Sequence, residues 1–330
     1  MPPVLLYFFL TLLGLALLLV GGDLLVRGAA GLSRRLGISP MAIGLTVVAF
    51  GTSAPELAVN VAAALKAGEI SFGNIVGSNL ANIALGIGLA ALVRPLIIQS
   101  VVVRREIPMM LLATAAVLVA ALDPWLTGGP ALYSRTEGLL LLLFFAVFIY
   151  YNLLEIFGHR TNSLAAEAVA EAPLILSVPL ALLLFFLGLA GLVGGSEITV
   201  RYAVLLSEGL GIPKAFIGFT LIALGTSLPE IATSLASIYR GETDLLVGNI
   251  VGSNIFNFLF ILGVTACLRP VPVPAQGFSD LGAVVFLSLA LLAVSFDRKI
   301  KRYEGGLFLL FYFLYLAYKL LYLPSSALKG

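Results

Sequence analysis

The sequence predicts an all-α polytopic membrane protein, with ten transmembrane helices arranged as two inverted repeats of five. Composition is the first reason: of 330 residues, 60% are hydrophobic and only 11% are charged. Soluble domains run to about a quarter charged, so a water-soluble core is excluded. Apolar runs long enough for spans of about 20 residues recur from end to end, and the short alternating segments of a barrel are missing. Internal repetition is the third reason. Gly44-Leu45-Thr46-Val47-Val48-Ala49-Phe50-Gly51-Thr52-Ser53 matches Gly218-Phe219-Thr220-Leu221-Ile222-Ala223-Leu224-Gly225-Thr226-Ser227 at an offset of 174. Gly73-Asn74-Ile75-Val76-Gly77-Ser78-Asn79 recurs unchanged as Gly248-Asn249-Ile250-Val251-Gly252-Ser253-Asn254 at an offset of 175. Arg27 and Arg201, and Arg94-Pro95 and Arg269-Pro270, keep step with these motifs.

The expected spans are 4–32, 40–65, 70–92, 102–122, 137–157, 173–206, 212–239, 245–268, 281–296 and 305–323. The first lacks a basic leader and runs on through Gly21-Gly22-Asp23 without a cleavage site, so it reads as a span and not a signal peptide. The second carries Pro55, which breaks its helix, and the third a stripe of small and polar residues. The fourth opens on Arg104-Arg105-Glu106, where an acid suits a helix start. After the fifth comes a polar linker, 158–172, with His159, Arg160, Glu167 and Glu171. It divides the chain into a first repeat, 1–157, and a second, 173–330, and leaves no room for a soluble domain.

Five spans per repeat is an odd number, so the second repeat sits upside down relative to the first. Such inverted repeats are typical of secondary transporters, whose sites lie at the midplane where the repeats meet. With the N-terminus outside, inner loops and span ends hold twelve of the 19 Lys and Arg residues and outer ones seven, which places both termini outside. Trp125 and the tyrosines near span ends read as an interfacial aromatic belt.

The chemistry concentrates in Gly51-Thr52-Ser53-Ala54-Pro55-Glu56 and its near copy Gly225-Thr226-Ser227-Leu228-Pro229-Glu230. An acid inside a span is costly and faces a partner or a cavity. Each proline removes a backbone donor and frees carbonyls around Ala49–Thr52 and its equivalent, which is tolerated at membrane depth only beside protein or a cavity. Thr52 and Ser53 precede Glu56 by four and three residues, so all three point roughly one way. Carboxylate, hydroxyl and bare carbonyl are the ligands of a hard cation. The plain alternative, a proline kink with a locally capped glutamate, fits one copy better than two inverted ones.

The third and eighth spans supply the complement. Asn74, Ser78 and Asn82 line one helix face, as do Asn249, Ser253 and Asn257. Ser78, Asn82, Ser253 and Asn257 read as ligands. Asn74, Asn79, Asn249 and Asn254 read as helix-to-helix bonds, beside glycine pairs that permit close packing. Asp23 and Glu197 suit an interfacial role. The chain has one cysteine, Cys267, and one histidine, so disulfides and Cys/His metal sites are out. No phosphate loop or nucleophile–base arrangement is present, so the chain reads as a non-enzyme without a cofactor. A net charge of +2 gives no reason to expect nucleic acid. The expected surroundings are the lipid bilayer, and nothing points to an obligate protein partner.

On these motifs the chain resembles the calcium/cation antiporter superfamily, in its prokaryotic sodium/calcium exchanger branch. Stretches 44–92 and 218–268 carry the likeness, and the span pattern extends it over nearly the whole chain. The resemblance implies a central Ca2+ site from Glu56, Glu230, Thr52 and Thr226. It assigns Na+ to Ser53, Ser227, Ser78, Ser253 and the carbonyls of Ala49 and Ala223. It implies a prokaryotic inner (plasma) membrane location and a first and sixth span that slide as a pair. One departure stands out: several sodium/calcium exchangers have an aspartate where this chain has Asn257, while Asn82 matches their asparagine. Two glutamates balance one Ca2+ or two Na+, and a third Na+ would leave an uncompensated charge in a low dielectric.

The expected function is therefore antiport of Na+ against Ca2+ by alternating access, the two ions competing for the same carboxylates. The alternative is Ca2+/H+ exchange, with Glu56 and Glu230 accepting protons. A channel fits less well, because no repeated filter ring is present.

Overall fold

The computed structural model describes residues 2–66, 69–123, 128–158, 176–210, 223–274 and 276–321. The linker beyond Gly158, Trp125 and the start of the seventh expected span lie outside them. Helix α1 is Pro2–Leu36. Helix α2, Pro40–Thr52, is π-helical over Gly44–Val48 and meets α3, Ala54–Lys66, at a 44° bend. Helix α4 begins as Glu69–Ala81, widens into a π-helix over Asn82–Ile87 and ends as Gly88–Val93. Helix α5 is π-helical over Val102–Glu106 and regular over Ile107–Ala120. Helices α6, Arg135–Gly158, and α7, Val178–Gly209, follow. The short α8, Ala223–Gly225, precedes α9, Leu228–Arg240. Helix α10 runs through Thr243–Ile255, a π-helical Phe256–Ile261 and Leu262–Leu268. The last two are α11, Gly277–Ser295, and α12, Arg302–Leu321.

Helix occupies each of the expected spans within the described residues. By length and composition, six of the helices can cross a membrane, or seven if α2 and α3 form one bent span. Two of the remaining expected spans have separate reasons: α5 carries Arg104, Arg105 and Glu106 at its start, and the seventh is broken before Pro229.

Two central helices are sheathed by the rest. In their most apolar stretches, 94% of α10 and 83% of α4 is buried, against 17% of α1. The main core joins α4, α5, α10 and α11, and a second cluster lies between α1, α7 and the site helices α2 and α9. Helices α1 and α7 pack antiparallel with backbones in direct contact. A methyl group at Gly21 would come within 2.7 Å of Leu192 N, and one at Gly188 within 2.3 Å of Leu25 N. Small residues are the usual means of such approach in lipid, where no hydrophobic force draws helices together.

Four short strands tie the loops. Leu96–Ile97 (β1) pairs antiparallel with Lys299–Ile300 (β4), and Leu132–Tyr133 (β2) with Val271–Pro272 (β3). The repeat makes β1 and β3 equivalent, and each pairs with a strand from the other half. Near β1 and β4, Gln99 donates to Asp244 at 2.5 Å, and Arg34 pairs with Glu242. Arg34, Arg240, Arg298, Lys299 and Arg302 thus share one end of the molecule. The opposite end holds β2, β3 and a buried cluster in which Lys319 Nζ lies 2.6 Å from Asp280 Oδ1.

Candidate cation site

The helix breaks fall on the serines of the two motifs. Ser53 (φ −85°, ψ 5°) and Ser227 (φ −85°, ψ −1°) leave helical geometry identically, and Pro55 and Pro229 sit in the first turn of the helices that resume. Proline suits that position because its missing N–H would be unpaired there in any case. The resumed helices carry Glu56 and Glu230 in their first turns, a favourable place for an acid. Both carboxylates are fully buried, 0% exposed.

Around them most contacts from one half have a counterpart in the other. Thr52 Oγ1 donates to Asn249 Oδ1 at 3.0 Å, and Thr226 Oγ1 to Asn74 Oδ1 at 3.2 Å. Ser253 Oγ lies 3.4 Å from Thr52 Oγ1, and Ser78 Oγ 3.3 Å from Thr226 Oγ1. Ser78 donates to Glu56 Oε1 and Ser253 to Glu230 Oε1, both at 3.5 Å. Below this layer Asn82 Nδ2 donates to Asn254 Oδ1 at 3.2 Å, and Asn257 Nδ2 to Asn79 Oδ1 at 2.9 Å. Asn82 and Asn257 lie where α4 and α10 turn π-helical, a local widening that often marks functional positions.

The halves differ at the breaks. Ser53 Oγ donates to Glu230 Oε1 at 3.0 Å, whereas Ser227 Oγ has no partner among the described residues. Ser53 N–H bonds Ala49 O at 3.0 Å, but Ser227 N–H turns to Leu224 O at 3.1 Å and leaves Ala223 O out of that bond. The carbonyl of Gly225, which Pro229 cannot serve, accepts from Ser196 Oγ of α7 at 2.6 Å. Gly22 of α1 stands at the position equivalent to Ser196 and has no hydroxyl to offer Gly51.

Several buried oxygens in this layer have no hydrogen-bond partner among the described residues: Glu56 Oε2, Glu230 Oε2, Ser227 Oγ, Asn82 Oδ1 and Asn257 Oδ1. Leaving a buried polar atom unpaired costs about 1–3 kcal/mol, so a cluster of them calls for a ligand. Carboxylate, hydroxyl and amide oxygens together suit a hard cation. No group of three His, Cys, Asp or Glu side chains occurs among the described residues, so neutral oxygens must complete any coordination shell.

The pattern of the family described as sodium/calcium exchanger protein matches residues 6–154 and 180–321, which takes in both halves of this arrangement. The chain belongs to that family. Sodium/calcium exchanger MaX1 of Methanosarcina acetivorans is 32% identical over 339 residues, covering 94% of this chain and 97% of the relative. Inner membrane protein YrbG of Escherichia coli is 38% identical over 295 residues, 88% of each chain. Among solved structures, the sodium-calcium exchanger NCX_Mj soaked with zero Na+ and Ca2+ superposes with a TM-score of 0.79 at 33% identity, covering 96% of this chain and 99% of that one. This exchanger-family chain is thus a membrane antiporter of cations.

Of the twelve residues singled out in the sequence, Glu56, Glu230, Thr52, Thr226, Ser53, Ser78 and Ser253 are joined by side-chain contacts, and Ala49 accepts from Ser53 and Thr52. Ser227 and Ala223 lie at the second break, and Asn82 and Asn257 lie one layer below. Thr226 alone of the hydroxyl residues is half-buried. Asn79 and Asn254 bridge α4 and α10, as expected. Asn74 and Asn249 also bond between segments, as expected, accepting from the threonines of the opposite half. Ser196 gave no signal in the sequence beyond its place in an apolar span. Asp23 pairs with Arg27 at 3.0 Å and with Arg240, in keeping with an interfacial role.

Proposed function

We propose that this protein exchanges Na+ for Ca2+ by alternating access at a midplane site centred on Glu56 and Glu230. The carrying observation is that each glutamate keeps one buried oxygen unpartnered inside a ring of hydroxyls and amides drawn from both halves. Two carboxylates neutralise one Ca2+ or two Na+, so the ions compete for the same charge and each displaces the other. Thr52 and Thr226 join the glutamates around Ca2+. Ser53, Ser227, Ser78, Ser253, the carbonyls of Ala49 and Ala223, and the free oxygens of Asn82 and Asn257 complete the sodium positions.

The same reading takes the chain as ten spans in two inverted repeats with both termini outside the cell, in a prokaryotic inner membrane. The strand pairs support this arrangement, since β1 and β2 flank a single span and must lie at opposite ends. Each equivalent strand finds its partner in the other half, as inversion requires. The gathering of Arg34, Arg240, Arg298, Lys299 and Arg302 at one end supports that end as cytoplasmic.

Equilibrium binding on the purified protein tests the site. Radioactive Ca2+ should bind to the native chain, be displaced by Na+, and fail to bind Glu230→Gln. Ca2+ binding that Na+ leaves untouched would contradict the shared site.

A further inference from the structure

Helices α5 and α6 follow one another in the chain but stand apart over much of their length, and a groove of about 720 Å3 opens between them. Ala113, Ala116 and Ala120 make the α5 wall a shallow one, and Phe144 stands on the α6 side. Behind them lie the buried Ile255 and Leu259 of α10, two residues to either side of Asn257. The lips of the groove are apolar and open, with Leu112 70% and Val119 57% exposed, so its mouth faces hydrocarbon.

One end of this groove is charged. Asp123, just past α5, and Glu137, in the first turn of α6, both line it and are both half-buried. Glu137 Oε2 accepts from Ser134 N–H at 2.8 Å, while Thr136 N–H donates to Ser134 Oγ at 3.1 Å. These two bonds cap the helix start and leave Glu137 its other oxygen for a further donor. Cations stand at the same level. Cys267 Sγ lies 4.0 Å from Arg135 O, which sets the end of α10, followed by Arg269, beside the start of α6. From Glu137 to Phe148 the groove runs about 16 Å at the helical rise. That is about half of a hydrocarbon core ~30 Å thick, so the groove spans one leaflet with its carboxylates at the interface.

We propose that the groove holds an acyl chain of a glycerophospholipid whose primary ammonium headgroup is bound by Asp123 and Glu137. Size and charge select this occupant. A helix about 10 Å across fills more than about 1,000 Å3 over 16 Å of its length, so a span of a second copy does not fit inside. A primary ammonium brings three N–H donors to the two carboxylates, whereas a trimethylated one brings none. A glycerol headgroup carries no positive charge at all. Arg135 and Arg269, at the level of the acids, suit the phosphate that such a lipid also carries. The bound chain rests on Ile255 and Leu259 and so backs the π-helical turn that presents Asn257. Lipid binding here is independent of which ion the site exchanges.

Native mass spectrometry of the full chain tests this. The protein is released from detergent containing equal amounts of phosphatidylethanolamine, phosphatidylcholine and phosphatidylglycerol with identical acyl chains. It should retain phosphatidylethanolamine over either competitor by about fivefold, the worth of a partly exposed charge pair. Asp123→Asn combined with Glu137→Gln should erase that preference. Glutamine at 137 can still accept from Ser134 N–H, so the melting temperature in lipid-free detergent should hold. Ala116→Trp should fill the groove and remove one retained lipid per chain. If the tryptophan variant melts early, Ala116→Leu repeats the test with a smaller side chain. Equal retention of the three lipids by the native chain would overturn the proposal. So would a preference that survives in the Asp123→Asn, Glu137→Gln protein, or full retention in a folded Ala116 variant. A lipid-free dimer that the Ala116 variant splits would give the groove to a second copy and overturn it as well.

Discussion

Ser53 Oγ donates a hydrogen bond of 3.0 Å to Glu230 Oε1, so a hydroxyl at the helix break of one half holds the carboxylate of the other. The equivalent bond from Ser227 to Glu56 is not made. Ser53→Ala removes both an oxygen of the site and the donor that orients Glu230. Hydrogen bonds to charged groups are worth about 1.5–3 kcal/mol, so Ca2+ affinity should fall about tenfold or more. The alanine fits the buried position, and the melting temperature should stay near that of the native chain. Equal affinity in native and mutant protein, measured by isothermal titration, would contradict this role.

Glu56→Gln and Glu230→Gln each halve the negative charge available to a divalent cation while keeping the side-chain shape. Removing one partner of a buried charge interaction costs about 2–5 kcal/mol, so Ca2+ flux should drop by at least about thirtyfold in either mutant. Robust Ca2+ uptake by one of them would sink the shared-carboxylate site.

Asn257 tests the charge count. Its Nδ2 donates to Asn79 Oδ1 at 2.9 Å, and its Oδ1 is buried without a partner among the described residues. Asn257→Asp adds a third negative charge beside the site, at the loss of the amide donor to Asn79, which can turn its own amide to compensate. Ca2+ binding should tighten by about tenfold at neutral pH, and the gain should vanish in acid as the new carboxyl takes a proton. Unchanged or weaker binding at neutral pH would show that geometry, not charge, sets affinity.

The α1–α7 contact makes a stability prediction. A side chain at Gly188 would meet Leu25 N at 2.3 Å, which no rotamer can relieve because the obstacle is backbone. Gly188→Val should destabilise the protein by about 1–3 kcal/mol or more and separate the two helices. Detergent-solubilised protein would show this as a lower melting temperature, and an unchanged one would contradict the close packing.

Much of the site was legible because its chemistry is out of place in lipid. Glu56 and Glu230 announce themselves as acids in apolar runs, and the repeat pairs them. The Gly-Asn-Ile-Val-Gly-Ser-Asn copies fix the facing helices to the residue. What the sequence hid depends on third partners. Nothing in the spacing of Asn74 and Asn249 reveals that a threonine from the opposite half reaches each of them. Ser196 and the hydroxyls of Thr233, Ser234 and Ser237 sit among apolar neighbours, and small hydroxyl residues are common wherever helices pack in membranes. Their meaning comes from burial and from partners made or missing, such as the Gly225 carbonyl that Ser196 reaches, which only the fold displays. Span counting is also blunted by the site, since proline breaks cut the second and seventh spans into pieces shorter than a bilayer.

The central claim is that Na+, and not a proton, is exchanged for Ca2+ on Glu56 and Glu230. Radioactive Ca2+ uptake into proteoliposomes of the native protein, driven separately by a Na+ gradient and by a pH gradient, addresses it directly. Uptake under the Na+ gradient, with none above the empty-vesicle background under the pH gradient alone, is the expected result. Uptake driven by the pH gradient in the absence of Na+ would contradict the account and make the carboxylates proton carriers.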